Sequence, residues 1–221
     1  MRYKGIIFDL DGTLVNSLDD IADSMNSVLQ KRNLPTHETN CYKTFIGNGL
    51  RNLVRTTLPE SRRDDLTINV CLEEMMVNYG DNCLVKTGLY DGISHLLDEL
   101  VIRKIKLSIF SNKADALTKK IAVALLNQWP FEVIAGMTTE VRKKPDASVP
   151  LEICKKFELQ PAEILFVGDS GIDVQTAKNA GMPAAGVLWG FRSADELKES
   201  GADHLLAEPK ELLHLLESSG S

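Results

Sequence analysis

The sequence predicts an α/β protein with a doubly wound, mostly parallel Rossmann-like sheet and an inserted α-helical cap domain. Short apolar runs without strict alternation recur along the chain, as expected for parallel strands buried on both faces. Helical periodicities separate most of these runs, which is typical of a parallel sheet covered by helices. Near the N-terminus, however, a long stretch has helical periodicity and no strand pattern, which indicates an insertion.

The first predicted strand is Lys4–Phe8, which is mostly apolar. It runs into a sharp turn at Gly12, a residue type that relieves steric strain in turns. Apolar residues then recur at helical spacing between Leu18 and Leu29, and Pro35 marks the end of this helix. The chain therefore leaves the sheet after a single strand.

The inserted block contains three predicted amphipathic helices, with breaks at Gly47-Asn48-Gly49, Pro59 and Gly80. These helices are Glu38–Ile46, Leu50–Leu58 and Asp64–Tyr79. We assign residues 17–84 to a helical cap domain, and residues 1–16 and 85–221 to the α/β catalytic core.

Alternation of strands and helices resumes after residue 84. The predicted strands are Ile105–Phe110, Phe131–Ala135, Ile164–Val167, Ala184–Leu188 and, as a short edge strand, His204–Ala207. The predicted helices are Ile93–Val101, Asp115–Leu126, Ser148–Phe157, Asp173–Ala180 and Lys210–Glu217. We expect the terminal Ser218–Ser221 to form a frayed tail.

Composition excludes several classes of protein. The chain has 221 residues and a formal net charge of −6, without a basic stripe, so we expect no nucleic-acid partner. Its four cysteines show neither zinc-ligand spacing nor a disulfide framework. We see no signal peptide and no apolar run near the ~20 residues of a membrane span. We expect a cytoplasmic protein without a membrane partner, either a monomer or a homodimer.

Two carboxylates follow the first strand. Asp9 and Asp11 are two residues apart, so both point to the same side if strand geometry continues. One could act as a nucleophile and the other as a general acid and base. An acidic turn with no catalytic role would have the same residues. The pattern is not a calcium-binding hand, because Gly12 falls at position 4 of the loop and not at position 6.

Polar residues also end two later strands, and ligands bind at the carboxyl ends of parallel strands. Asp169, with Asp173 one turn later, could complete a Mg²⁺ site with Asp9. For Asp173, helix capping is an equally good explanation. Ser111 and Asn112 end the other strand and offer donors for an anion, although a simple helix cap uses the same residue types.

Positive charge is densest at Arg142-Lys143-Lys144, just before Pro145. We expect Lys144 to contact a phosphate if the polar strand ends converge, because an isolated basic run is normally a solvated loop.

These residues together resemble the haloacid dehalogenase superfamily, and its phosphoglycolate-phosphatase-like branch most closely, over nearly the whole chain. Four segments match the superfamily's motifs in order and spacing. They are Asp9-Leu-Asp-Gly-Thr-Leu-Val15, Ser111-Asn112, Lys144-Pro145 and Gly168-Asp-Ser-Gly-Ile-Asp173. Asn16 and the segment Asp146-Ala147-Ser148 depart from the usual pattern of relatives.

The resemblance implies a role for each catalytic residue. Asp9 would attack phosphorus and form an aspartyl-phosphate, and Asp11 would protonate the leaving oxygen and then activate water. Ser111 and Lys144 would bind the phosphoryl oxygens.

It also implies the ligands of the cofactor and the remaining phosphate contacts. Asp9, the backbone carbonyl of Asp11 and Asp169 would bind Mg²⁺, with Asp173 supporting them. We also expect Gly12, Thr13 and Asn112 to contribute to the phosphate-binding site.

We therefore predict a Mg²⁺-dependent phosphatase that hydrolyses a small phosphorylated metabolite such as phosphoglycolate. Asn48 and Arg51 of the helical block are candidate contacts for the distal end of the substrate. A β-phosphoglucomutase-like phosphosugar mutase is the alternative enzyme, followed by a pyrophosphatase or nucleotidase of the same superfamily. A phosphate-binding regulatory protein is the non-enzymatic alternative.

Overall fold

A computed structural model of the protein describes residues 3–217. The strands are β1 (Gly5–Phe8), β2 (Val15–Asn16), β3 (Gly88–Leu89), β4 (Lys106–Ala114), β5 (Phe131–Met137), β6 (Ile164–Gly168), β7 (Ala184–Val187) and β8 (His204–Leu206). The helices are α1 (Leu18–Lys31), α2 (Tyr42–Phe45), α3 (Leu50–Thr57), α4 (Asp65–Asn82), α5 (Ile93–Ile102), α6 (Asp115–Leu125), α7 (Ser148–Phe157), α8 (Gly171–Asn179), α9 (Ala194–Ser200) and α10 (Glu211–Glu217).

Six strands form one parallel sheet in the order β5-β4-β1-β6-β7-β8, so β1 lies at its centre. Phe8 at the end of β1 is in register with Ile109 on one side and with Val167 on the other. The segments that follow these three strands therefore leave the same edge of the sheet. This topology reverses direction around β1, which is where open α/β sheets bind their ligands.

The sheet is covered on both faces, as the run of apolar residues in β1 requires. Ile6 and Phe8 point into one buried cluster, which also contains residues of the N-terminal helices. Ile7 points into a second cluster on the opposite face, with Phe110 and Phe166. Each face thus has its own apolar core, and the predicted doubly wound α/β fold is confirmed.

The helical insertion packs mainly on itself and over one end of the sheet. Helix α4 packs against both α1 and α3. The chain enters the helical insertion through β2 and returns from it through β3. These two strands form a short antiparallel pair, in which Val15 of β2 faces Leu89 of β3. The sequence did not indicate this pair, because strands of two residues are too short to show any periodicity.

Most predicted elements are present, with local differences. The segment predicted as one helix over Glu38–Ile46 is a 3₁₀ turn, Thr39–Cys41, followed by the short α2. Helix α9 was not predicted, because Leu197 is its one buried residue. It begins instead from a local signal, in which the Ser193 hydroxyl accepts a hydrogen bond from the Glu196 N–H at 3.3 Å.

The predicted tail Ser218–Ser221 lies outside the described residues.

Within residues 3–217, none of the helices combines the length and apolar character needed to span a membrane.

A buried carboxylate on helix α1 binds the segment by which the chain returns from the helical insertion to the sheet. Asp20 accepts hydrogen bonds from the backbone N–H groups of Lys86 and Thr87 and from the Thr87 hydroxyl, at 2.7–3.0 Å. Asp20 is buried, whereas its neighbour Asp19 is exposed. The charge of Asp20 is therefore satisfied by the chain as it returns to the sheet.

We predict that Asp20→Asn destabilises the protein by about 2 kcal/mol, because an amide replaces a charged acceptor of several buried donors. Urea denaturation would measure the change, with Asp19→Asn as the control for loss of one acidic charge. The same stability for the two variants would contradict this role of Asp20.

Candidate active site

The turn after β1 brings two acidic side chains to the edge of the sheet. The Asp9 N–H still donates to the Val167 carbonyl at 2.9 Å, so Asp9 extends the central strand. The chain then turns at Gly12, which has φ +84°, and a Cβ there would lie 2.3 Å from Asp169 Oδ2. Gly12 is thus required both for its backbone conformation and for the close approach of Asp169.

Lys144 links two of the acidic residues. Its Nζ lies 2.7 Å from Asp9 Oδ1 and donates a hydrogen bond to Asp173 Oδ1 at 2.6 Å. All three side chains are buried. Burial alone would lower the pKa of Lys144, but Asp173 and Asp9 more than offset it and raise the pKa above the ordinary value. Lys144 is therefore held as a cation inside the protein.

Three carboxylates lie close enough to share one cation. Asp9, Asp169 and Asp173 each offer an oxygen within 4.8 Å of the others. Asp169 is oriented by the Phe191 N–H, which donates to its Oδ2 at 2.6 Å. This donor set consists of oxygens, which suits a hard divalent cation.

The pKa values of two of these groups reflect the crowding of negative charge. Burial, together with the charges of Asp173 and Asp11, raises the pKa of Asp9 from 3.8 to about 7, although Lys144 acts in the opposite direction. Burial and then the charges of Asp173 and Asp9 raise the pKa of Asp169 well above its ordinary value. A cation would relieve both effects, so the residues present fit a metal site.

Two roles were considered for Asp173 from the sequence: capping of helix α8 and a place in the metal site. Its Oδ2 accepts hydrogen bonds from the N–H and hydroxyl of Ser170, at 3.0 and 2.6 Å, which caps α8. Its Oδ1 accepts the bond from Lys144. The capping interpretation and a place beside Asp9 are therefore compatible.

Asp11 is not one of the three clustered carboxylates and has partners of its own. Ser17 Oγ donates to Asp11 Oδ1 at 2.5 Å, and Lys113 Nζ lies 2.9 Å from Oδ2. Lys113 is buried and also donates to the Tyr79 hydroxyl at 2.7 Å, on helix α4. Burial alone would lower the pKa of Lys113, but the interactions with Asp11 and Tyr79 outweigh burial and raise this pKa above its ordinary value.

Sequence reasoning missed Lys113 and Ser17. Lys113 directly follows Ser111 and Asn112 at a strand end, and this position was the available signal. Ser17 carried none, because only the turn after Gly12 brings it back to Asp11.

Ser111 and Asn112 are both brought to the site, but Asn112 has a structural task. The Asn112 side chain accepts from the Lys144 N–H at 2.7 Å and donates to the Lys144 carbonyl at 3.2 Å. Its amide also donates to the Gly47 carbonyl at 3.0 Å. Asn112 thus fixes the backbone of Lys144 and contacts the helical insertion, while Ser111 lines the pocket.

The pocket at this edge has two unlike sides. The sheet supplies the polar side, with five charged residues. They are Asp9, Asp11, Lys113, Lys144 and Asp169. The helical insertion supplies an apolar side with Ile21, Ile46, Leu50 and Leu53. Phe191 and Arg192, from the loop after β7, also line the pocket.

Four predicted residues lie elsewhere. The Arg51 guanidinium contacts Asn69 and Asp65 within the helical insertion, at 2.5 and 2.7 Å, and is not brought to the pocket. Asn48 is exposed, although its neighbours Gly47 and Gly49 line the pocket. Gly12 and Thr13 form the turn beneath the site. Thr13 is buried and its carbonyl accepts from Trp189 Nε1 at 3.0 Å.

Comparison with known proteins agrees with this geometry. Residues 6–187 match the family model described as haloacid dehalogenase-like hydrolase. The chain is 32% identical over 213 residues to a phosphoglycolate phosphatase of Aquifex aeolicus, covering 96% of both chains. It is 31% identical over 220 residues to a phosphoglycolate phosphatase of Chromobacterium violaceum, covering 98% of both.

A solved structure extends the likeness to three dimensions. The crystal structure of a predicted phosphoglycolate phosphatase from Haemophilus somnus superimposes with a TM-score of 0.89 at 30% identity. The match covers 98% of this chain and 99% of that one.

The raised pKa of Asp9 leads to a prediction about stability. A carboxyl whose pKa is raised on folding binds its proton more tightly in the folded state, so its contribution falls as pH rises from 3.8 to about 7. We predict that metal-free Asp9→Asn gains thermal stability relative to the wild type between pH 5 and pH 8. Added Mg²⁺ at pH 8 will stabilise the wild type more than the variant.

Thermal melts in EDTA at both pH values measure this difference, and Asp19→Asn controls for the lost charge. A gap between Asp9→Asn and wild type that does not change with pH would contradict the prediction.

Proposed function

The chain belongs to the haloacid dehalogenase-like hydrolase family, and we propose that it is a Mg²⁺-dependent phosphatase whose substrate is phosphoglycolate or a similarly small phosphomonoester. The observation that carries this proposal is the meeting of Asp9, Asp11, Ser111 and Lys144 in one pocket. These groups come from three separate segments, which the parallel sheet brings to one edge.

The proposed metal ligands are carboxylates of the buried cluster. Asp9 and Asp169 would hold Mg²⁺ together with the backbone carbonyl of Asp11, and Asp173 would support them through Lys144 and Ser170. When bound, Mg²⁺ would offset the excess negative charge and stabilise charge on the phosphoryl oxygens. Mg²⁺ is favoured among divalent cations because it prefers oxygen ligands and commonly binds phosphate-bearing substrates.

In the first half of the reaction, an Asp9 carboxylate oxygen attacks phosphorus while the bond to the leaving alcohol oxygen breaks. Lys144 and the Ser111 hydroxyl would bind phosphoryl oxygens and orient the group. Asp11 donates a proton to the leaving oxygen, and Lys113, 2.9 Å away, stabilises the carboxylate that remains. The products of this half are the alcohol and an aspartyl-phosphate.

In the second half, a water molecule attacks phosphorus and the bond from phosphorus to Asp9 breaks. Asp11 takes the proton of this water, so it returns to its protonated form. Phosphate leaves, and Asp9 is again a carboxylate. Division into two displacements lowers the barrier to a reaction that is extremely slow in water.

We propose that residues 17–84 act as a cap over a core formed by residues 1–16 and 85–221. In support, Ile21, Ile46, Leu50 and Leu53 of this block form the apolar side of the pocket. Such a wall would exclude water from the aspartyl-phosphate until the alcohol has left.

The remaining proposals concern the setting of the protein. The four cysteines are free thiols, and three of them are buried, which supports a reducing, cytoplasmic compartment. The partner would be a small phosphorylated metabolite, and the protein itself a monomer or a homodimer.

We predict that Asp9→Asn reduces phosphate release by on the order of 10³-fold or more, because an amide cannot replace the nucleophile. The assay would measure phosphate released from phosphoglycolate, sugar phosphates, nucleotides and pyrophosphate, with Mg²⁺ or with EDTA. Asp19→Asn, which removes an exposed carboxylate of the same kind, should retain full activity.

Three results would contradict the proposal. They are full activity in EDTA, retention of activity in Asp9→Asn, and isomerisation of sugar phosphates with little phosphate released. The last would indicate a phosphosugar mutase.

A further inference from the structure

Arg192 has one donor group that nothing in the described structure uses. Its side chain lines the pocket beside the catalytic carboxylates and is 14% exposed. Nη2 donates to the Ile46 carbonyl at 2.7 Å, and Nε lies 3.4 Å from Glu196. Nη1 is buried and has no hydrogen-bond partner among residues 3–217. A buried cationic donor without a partner is costly, so such a group calls for a ligand.

The other cations of the pocket are already engaged. Lys144 is paired with Asp9 and Asp173, and Lys113 is paired with Asp11. Lys144 is also the cation assigned to the phosphoryl group, so among the described residues that line the pocket Arg192 has a cationic donor that is left for a second group.

We propose that Arg192 Nη1 binds a second anionic group of the substrate and thereby sets specificity. The substrate class is a small phosphomonoester that carries a carboxylate, or a group of similar charge and size, near the ester oxygen. This inference rests on the proposed function, because Lys144 and Ser111 must bind the phosphoryl group for Arg192 to remain free.

The surroundings of Arg192 favour a compact anion. The same pocket is also lined by apolar side chains of the helical insertion, with Ile21, Leu50 and Leu53 among them. These side chains offer no hydrogen bonds to a sugar or a nucleoside. A carboxylate facing Arg192 would instead gain a charge-assisted bond in surroundings of low polarity.

The guanidinium is also fixed before any ligand arrives. Nη2 donates to the Ile46 carbonyl at 2.7 Å, and this hydrogen bond restricts the orientation of the guanidinium and therefore of Nη1. Nε has a longer contact with Glu196, at 3.4 Å. A donor fixed in this way loses little entropy when it binds an anion.

The test compares two substrates that differ mainly in the second charge: phosphoglycolate and the neutral-ended 2-hydroxyethyl phosphate. We predict that the wild type has a clearly higher kcat/KM for phosphoglycolate. Arg192→Ala should lower that value about 10- to 100-fold, as expected for loss of a charge-assisted hydrogen bond. The value for 2-hydroxyethyl phosphate should change less than about threefold, within the scatter of a neutral substitution.

Arg103→Ala is the matched control. Arg103 is 23% exposed and also pairs with a glutamate four positions away, Glu99, but it lies after α5 and does not line the pocket. This variant should leave the ratio of the two kcat/KM values unchanged. Arg192→Lys keeps the charge without the planar fork, and it should lose part of the preference even if Arg192→Ala does not fold.

The outcomes separate this inference from the function on which it rests. An equal loss for both substrates in Arg192→Ala would mean that Arg192 only holds Ile46 or binds the phosphoryl group, and would overturn the inference. Equal kcat/KM values for the two substrates in the wild type would also overturn it, with the phosphatase intact. No Mg²⁺-dependent phosphate release from any phosphomonoester would overturn the proposed function and the inference together.

Discussion

The excess of buried negative charge at the end of β1 is the constraint on which the rest of the site depends. Four buried acidic side chains lie there, Asp9, Asp11, Asp169 and Asp173, and their buried cationic partners in the described structure are Lys113 and Lys144. Such a group of charges is unfavourable in a folded core, which the raised pKa of Asp9 reflects. A divalent cation would offset this excess of negative charge. We therefore expect the folded protein to become more stable when a divalent cation binds to this cluster.

The fold holds these charged side chains close together through several backbone contacts. Asp9 continues the central strand, and the loop after β7 fixes Asp169 through the Phe191 N–H. Gly190, like Gly12, is a position where a side chain would collide with Asp169. A Cβ at position 190 would lie 2.3 Å from the Cβ of Asp169. Asn112 then fixes the backbone of Lys144, the lysine whose Nζ lies between Asp9 and Asp173.

The features that the sequence made predictable are those encoded locally. Buried strands such as Ile164–Gly168 are continuous apolar runs, and their ends carry the polar residues that a parallel sheet must bring together. What could not be predicted depends on how distant segments meet. The position of Arg51 near a loop of the helical block suggested a contact with the substrate. In the structure its guanidinium instead donates hydrogen bonds to Asp65 and Asn69 on α4. Arg192 follows no motif, and its place in the pocket results from the packing of one loop against Ile46.

The most direct test of the central claim is a crystal structure of the wild type grown with Mn²⁺, with the ion located by its anomalous scattering. Mn²⁺ is a suitable probe because it shares the preference of Mg²⁺ for oxygen ligands. The account predicts one strong anomalous peak in contact with carboxylate oxygens of Asp9 and Asp169, and no peak there in Asp169→Asn. A peak elsewhere, or an empty carboxylate cluster at saturating Mn²⁺, would contradict it.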